Sequence, residues 1–115
     1  SMNSPSWVSG PDLLKMSHSS YLNETVDLSS LPDSQLLINS NLSISNSTFN
    51  GPGYIVANGN ITISSNSAIN GNIFIICSGS ITITDSQVGT DINAPAICYS
   101  KGNASSSQIF SFYTK

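Results

Sequence analysis

Charge is what this chain of 115 residues has least of. Charged side chains make up 8% of it, against about 25% in an average soluble protein. It has three Lys, no Arg and a formal net charge of −3. Nucleic-acid binding needs a basic patch that neutralises phosphates, and anionic lipid surfaces need one too. We therefore expect no nucleic-acid partner.

Long apolar runs are missing as well. The longest extends from Ile73 to Cys77, which is far too short to cross a bilayer, so we expect no membrane insertion. No secretory signal is visible. The low charge and the abundance of Ser and Asn favour an extracellular location at a cell surface.

The chain is rich in internal repeats. Three stretches follow one pattern, and a weaker copy begins at Ala96; the three are 36–44, 55–63 and 75–83. Their spacing of about 20 residues lies in the range typical of solenoids. Apolar residues and hydroxyls alternate within a repeat, as in Ile61-Thr62-Ile63, which indicates strands. Asn-Gly pairs mark the tight corners between them.

These features predict an all-β fold, a right-handed parallel β-helix of about four coils with an N-terminal cap. Right-handed coiling is favoured because the period lacks the hexapeptide rhythm of left-handed forms. Residues 1–33 are expected to form the cap, because a first coil otherwise exposes its core. Residues 34–103 form the repeats. Residues 104–115 are a tail or the cut end of a longer domain.

Stacked coils place equivalent residues in columns. Four predicted columns point inward: Leu42, Ile61, Ile81; Ile44, Ile63, Ile83; Leu36, Ile55, Ile75, Ala96; and Ile38, Ala57, Cys77, Cys98. A shared corner holds Asn41, Asn60 and Ser80, where we expect a ladder of polar side chains. Residues 34–84 contain no charged side chain.

One apolar column alternates with the inward set and must point outward: Leu37, Val56, Ile76, Ile97. Aromatic rings lie two residues away on the same face: Tyr54, Phe74 and Tyr99. Such a stripe requires a cover or a partner. The N-terminal segment or residues 109–113 would lie across it, or copies of the chain would pack there. Alternatively it docks a polysaccharide or a protein through Tyr54, Phe74, Val56, Ile76 and Tyr99, because rings stack on the C–H faces of sugars.

Residues with reactive side chains are few. Cys77 and Cys98 lack metal-site spacing; they either fill the interior or form a disulfide between coils. Asp85 and Asp91 share one irregular turn, where Asp is favoured for backbone reasons. His18 stands alone in a Ser-rich loop. We expect no enzyme activity, no metal and no cofactor.

The repeat Gly59-Asn60-Ile61-Thr62-Ile63, with 69–75 and 79–83, resembles β-helix segments of bacterial surface proteins associated with type IV pili. Within that group it is similar to the tapirins, adhesins that bind cellulose. The resemblance implies a non-catalytic cell-surface module for insoluble polysaccharide. Bactofilins share the architecture and resemble the sequence less; they represent the alternative, a self-assembling β-helix without a carbohydrate ligand.

Overall fold

The computed structural model describes residues 18–89, 96–100, 104–106 and 112–114. These residues form short β-strands and two turns of 3-10 helix, at Leu28–Ser30 and Pro32–Ser34. The strands are β1 (Ser20–Leu22), β2 (Thr25–Asp27), β3 (Gln35–Ile38), β4 (Leu42–Ser45), β5 (Thr48–Asn50), β6 (Gly53–Ala57), β7 (Ile61–Ser64), β8 (Ala68–Asn70), β9 (Ile73–Cys77), β10 (Ile81–Ile83), β11 (Gln87–Val88), β12 (Ala96–Ser100), β13 (Ala104–Ser106) and β14 (Phe112–Thr114).

The strands form three parallel sheets, and from β1 to β13 every third strand of the chain returns to the same sheet. The first sheet has the order β1-β4-β7-β10-β13, the second β11-β8-β5-β2 and the third β14-β12-β9-β6-β3. This topology is a β-solenoid, which confirms the predicted all-β parallel β-helix. The path from β1 to β10 completes three turns, and a fourth begins there.

Identical registers between successive coils create the predicted inward columns. In the first sheet Leu42 lies opposite Ile61, and Ile61 lies opposite Ile81. In the third sheet Leu36, Ile55 and Ile75 are aligned in the same way. Ile61 and Ile81 are completely buried. Burial of one such side chain is worth about 1.5–3 kcal/mol, so these stacked columns form the core that holds the coils together.

The strands begin before and continue beyond the predicted repeat region of 34–103. β1 and β2 lie within the segment predicted to be a cap, and they pair with β4 and β5. β13 and β14 lie within the predicted tail, and they pair with β10 and β12. Residues 1–17 of the predicted cap are outside the described residues. Because β1 and β2 pair with the next coil, the first described coil is part of the solenoid.

Candidate functional site

The outward face of the third sheet carries the predicted aromatic pair. Tyr54 lies opposite Phe74 on adjacent strands, and the two side chains are 39% and 40% exposed. Both alternate with buried residues, among them Ile55 and Ile75, because successive side chains of a strand point to opposite faces. Leu37, Val56 and Ile76 form the neighbouring column on this face and are half-buried. We call these five residues the apolar face.

The two rings stack on one another along the solenoid axis. Their centroids are 5.3 Å apart and their planes are inclined by 23°, an arrangement that aromatic pairs favour. One face of each ring is therefore covered by the other ring. A ligand above the sheet would contact the edges of the two rings and the aliphatic side chains beside them. The sequence-based prediction was that the ring faces would be available for stacking.

One polar atom at the end of the aromatic column has no partner in the part of the chain that the structure describes. Gln35 lies opposite Tyr54. Its Oε1 atom is buried and accepts no hydrogen bond from the described residues. Most buried polar atoms are paired, so this oxygen is an unmet acceptor beside the apolar face.

The predicted alignment of the fourth coil is wrong by two residues. Ala96 lies opposite Ile73, and Cys98 lies opposite Ile75, whereas the sequence pattern placed them opposite Ile75 and Cys77. The cause is a longer connection, since Ala96 follows its partner Ile73 by 23 residues and Ile73 follows Gly53 by 20.

This shift also changes the outward columns. Tyr99, not Ile97, lies opposite Ile76, and Ile97 continues the column of Tyr54 and Phe74. The backbone of both residues belongs to β12, but their side chains lie outside what the structure describes. The candidate site residue Tyr99 is therefore placed by its backbone alone, next to Ile76.

The C-terminal strand does not cross the apolar face as one prediction had it. β14 pairs in parallel with β12, with Ala96 opposite Phe112. It therefore extends the third sheet by one strand at its edge. Residues 109–111 and 1–17, the other predicted covers, lie outside the described residues.

The two cysteines are free and buried, so the predicted interior role is confirmed and the disulfide is wrong. Burial raises the pKa of the Cys98 thiol to about 12, and neighbouring Cys77 contributes to the rise. Burial also raises the pKa of Cys77, although a hydrogen bond with Ser100 opposes the change. Because the thiolate is the reactive form, both thiols are chemically quiet.

A ladder of buried serines, which the sequence analysis missed, joins the coils at one corner. It consists of Ser47, Ser67 and Ser86, each 2% exposed. The backbone N–H of Ser47 donates to Ser67 Oγ at 3.1 Å, and that of Ser67 donates to Ser86 Oγ at 3.0 Å. The sequence does contain a signal for this ladder, because a Ser occurs two residues before Phe49, Ile69 and Val88. We call this set the serine ladder.

Residues in the left-handed region precede each member of the serine ladder. Asn46, Asn66 and Asp85 have φ values of 46°, 63° and 48°, a conformation that Asn and Asp tolerate better than other side chains. Asp85 thus occupies the corner position that Asn holds in the other coils, as expected for a turn residue. Asp91, which the sequence analysis assigned to the same turn, lies outside the described residues.

The predicted polar ladder at the Asn41 corner is confirmed, in a side chain-to-backbone form. Asn41 Oδ1 accepts from the backbone N–H of Asn60 at 2.8 Å, and Asn60 Oδ1 accepts from that of Ser80 at 2.9 Å. A second column runs beside it, where Asn58 Nδ2 donates to Asn39 Oδ1 at 3.2 Å and Ser78 Oγ donates to Asn58 Oδ1 at 3.1 Å.

The histidine lies at the start of the described chain. His18 is 3.2 Å from Glu24 Oε2 and stacks on Tyr21 with ring centroids 4.1 Å apart. Its side chain is 46% exposed, in agreement with the expected surface position. Among the described residues, no three His, Cys, Asp or Glu side chains are grouped as a metal site, and no helix there could span a membrane.

The site is thus an apolar, uncharged sheet face bordered by amide and hydroxyl ladders. Its two columns run along the solenoid axis with the strand spacing of the sheet, about 4.8 Å. Comparison with protein-family models, with curated proteins and with solved structures gives no significant match.

Proposed function

We propose that this protein is a non-catalytic, surface-exposed adhesion module that binds insoluble, cellulose-like polysaccharide through the apolar face. One observation carries the proposal: Tyr54 and Phe74 stand in register on adjacent coils and stay about 40% exposed, on a stretch free of charge from 34 to 84. An extended ligand could contact several coils in succession. Location outside the cell, at a cell surface, is part of this proposal.

The chemistry of the face favours an uncharged ligand. Ring edges and the side chains of Val56 and Ile76 suit the C–H surface of a sugar chain. Because the rings cover one another, we expect binding to depend on many weak contacts along a flat surface. An insoluble polymer supplies such a surface, whereas a short soluble sugar does not.

Depletion of the protein from solution tests this proposal. Insoluble cellulose should remove it, and an inert powder of equal surface area should not. The double variant Tyr54→Ala/Phe74→Ala should bind at least about tenfold more weakly, equivalent to about 1.4 kcal/mol. The matched control Ser43→Ala/Thr62→Ala changes the outward face of the first sheet and should bind normally. Absence of depletion by any insoluble polysaccharide would overturn the proposal.

Self-assembly is the second candidate, favoured by the position of the first coil. Among the described strands, β1, β2 and β3 are the outermost at one end of the three sheets, and the edge of a strand is a template for another chain. A second copy stacked there would continue the solenoid. Light scattering that shows filaments, or a size that grows with concentration, would favour this function over polysaccharide binding.

A further inference from the structure

We propose that Asn58-Gly59 is a self-modification site, at which the folded chain converts Asn58 to aspartate and isoaspartate through a cyclic imide. The chain contains three Asn-Gly pairs, at 50–51, 58–59 and 70–71. Gly after Asn favours this reaction because no side chain hinders the attacking nitrogen. The structure separates the three pairs by exposure and by hydrogen bonding.

The attacking nitrogen is engaged at the first pair and not at the second. The backbone N–H of Gly51 donates to Asn70 O at 2.8 Å and must break that bond before it can attack. At the third pair, Gly71 takes part in a further interaction. The N–H of Gly59, in contrast, donates to no acceptor in the described part of the chain. Asn58 is exposed, whereas Asn50 and Asn70 are half-buried.

The coil above Asn58 supplies a group that assists the reaction. Ser78 Oγ donates to Asn58 Oδ1 at 3.1 Å. Attack by the Gly59 nitrogen on Cγ places negative charge on that oxygen, and a fixed donor stabilises the developing oxyanion. Ser78 therefore contacts the reacting carbonyl directly.

The reaction balances with water as the only co-reactant. A bond forms between the Gly59 nitrogen and Asn58 Cγ, and the Cγ–Nδ2 bond breaks. The nitrogen gives its proton to solvent, and Nδ2 takes up a proton and leaves as ammonia. Water then opens the imide at either carbonyl, which yields aspartate or isoaspartate.

The product alters the coil in three ways. The carboxylate no longer donates to Asn39 Oδ1, and it places a charge in the uncharged stretch at the end of β6, beside the apolar face. Isoaspartate also lengthens the main chain at a corner where a Cβ on Gly59 would lie 2.5 Å from Asn41 Oδ1 and 2.8 Å from Asn41 N. Modification should therefore loosen the stacking of this corner.

Peptide mapping of the aged protein tests the site. The intact folded chain is incubated at mildly alkaline pH, and isoaspartate is measured at each Asn-Gly pair by mass spectrometry. Asn58 should convert at least about tenfold faster than Asn50, the rate equivalent of about 1.4 kcal/mol, which is the size of one hydrogen bond. In concentrated urea the rates should become similar, because the structural differences are gone.

Ser78→Ala provides the second readout. It should slow conversion at Asn58 severalfold and leave Asn50 unchanged, with circular dichroism confirming the fold. Equal rates at the three pairs in the folded protein would overturn the proposal, and so would faster conversion at Asn50 or Asn70. An identical pattern of rates in folded and urea-treated protein would overturn it as well, and that comparison needs no variant.

Discussion

Replacing Ser67 by alanine removes the middle member of the serine ladder. Ser67 Oγ accepts the backbone N–H of Ser47 at 3.1 Å and donates to Ser64 O at 2.7 Å. The substitution deletes both bonds in a position that is 2% exposed. The backbone N–H of Ser47 and the carbonyl oxygen of Ser64 each lose one hydrogen bond. The loss of stability therefore depends on which partners these two groups keep.

The two groups differ in what remains to them. Ser64 O still accepts from the backbone N–H of Asn46 at 3.3 Å, so it stays hydrogen-bonded and contributes little to the loss of stability. The N–H of Ser47 keeps no acceptor and stays buried. An unsatisfied buried donor costs about 1–3 kcal/mol. We therefore expect Ser67→Ala to lower the free energy of unfolding by about 2 kcal/mol.

Urea denaturation followed by circular dichroism measures this loss. The midpoint should fall in Ser67→Ala while the m-value stays constant, because the surface exposed on unfolding is unchanged. Ser43→Ala is the matched control, since Ser43 is exposed and its hydroxyl has no bond among the described residues. It should change stability by less than about 0.5 kcal/mol. Equal midpoints for the two variants would refute the reasoning.

Two further predictions concern packing and pH. Gly79→Ala should lower the free energy of unfolding by about 1–3 kcal/mol, because its Cβ would overlap Asn60 Oδ1 and lie 2.9 Å from Gly59 O. Thermal melting measures the loss, and Asn72→Ala, at an exposed position, is the control. An unchanged midpoint in Gly79→Ala would show that the corner can accommodate a Cβ. The pKa of Cys98 is raised to about 12 from 9, so the unfolded chain loses its proton first and stability should fall as pH rises above 9. In Cys98→Ala the free energy of unfolding should fall less steeply with pH, by up to about 1.4 kcal/mol per pH unit. Parallel stability curves for this variant and the unmodified protein would contradict the burial of this thiol.

The columns of the first three coils could be predicted because equivalent Ile residues recur at constant spacing. Ile61 opposite Ile81 and Ile55 opposite Ile75 follow directly from that spacing. The fourth coil could not be aligned in the same way. A shift of two residues keeps every inward side chain inward, so alternation alone cannot show that Cys98 faces Ile75.

The candidate site was predicted in position but not in geometry. Tyr54 and Phe74 fall on the outward face from alternation alone. Their mutual stacking depends on the direction of the side chains, which a pattern of apolar residues does not determine. The serine ladder was not predicted for a related reason. Serine is common at corners, and the burial of Ser47 and Ser67 is visible only in the folded chain.

The reactive corner at Asn58 follows from the same interactions that hold the coils together. Gly59 is required there because a Cβ would lie 2.8 Å from Asn41 N. An amide is suited to position 58 because it both donates to Asn39 and accepts from Ser78, whereas the carboxylate of Asp could only accept. A solenoid stabilised by uncharged ladders therefore creates an Asn-Gly pair at a tight corner, and removing the pair to gain chemical durability should cost stability.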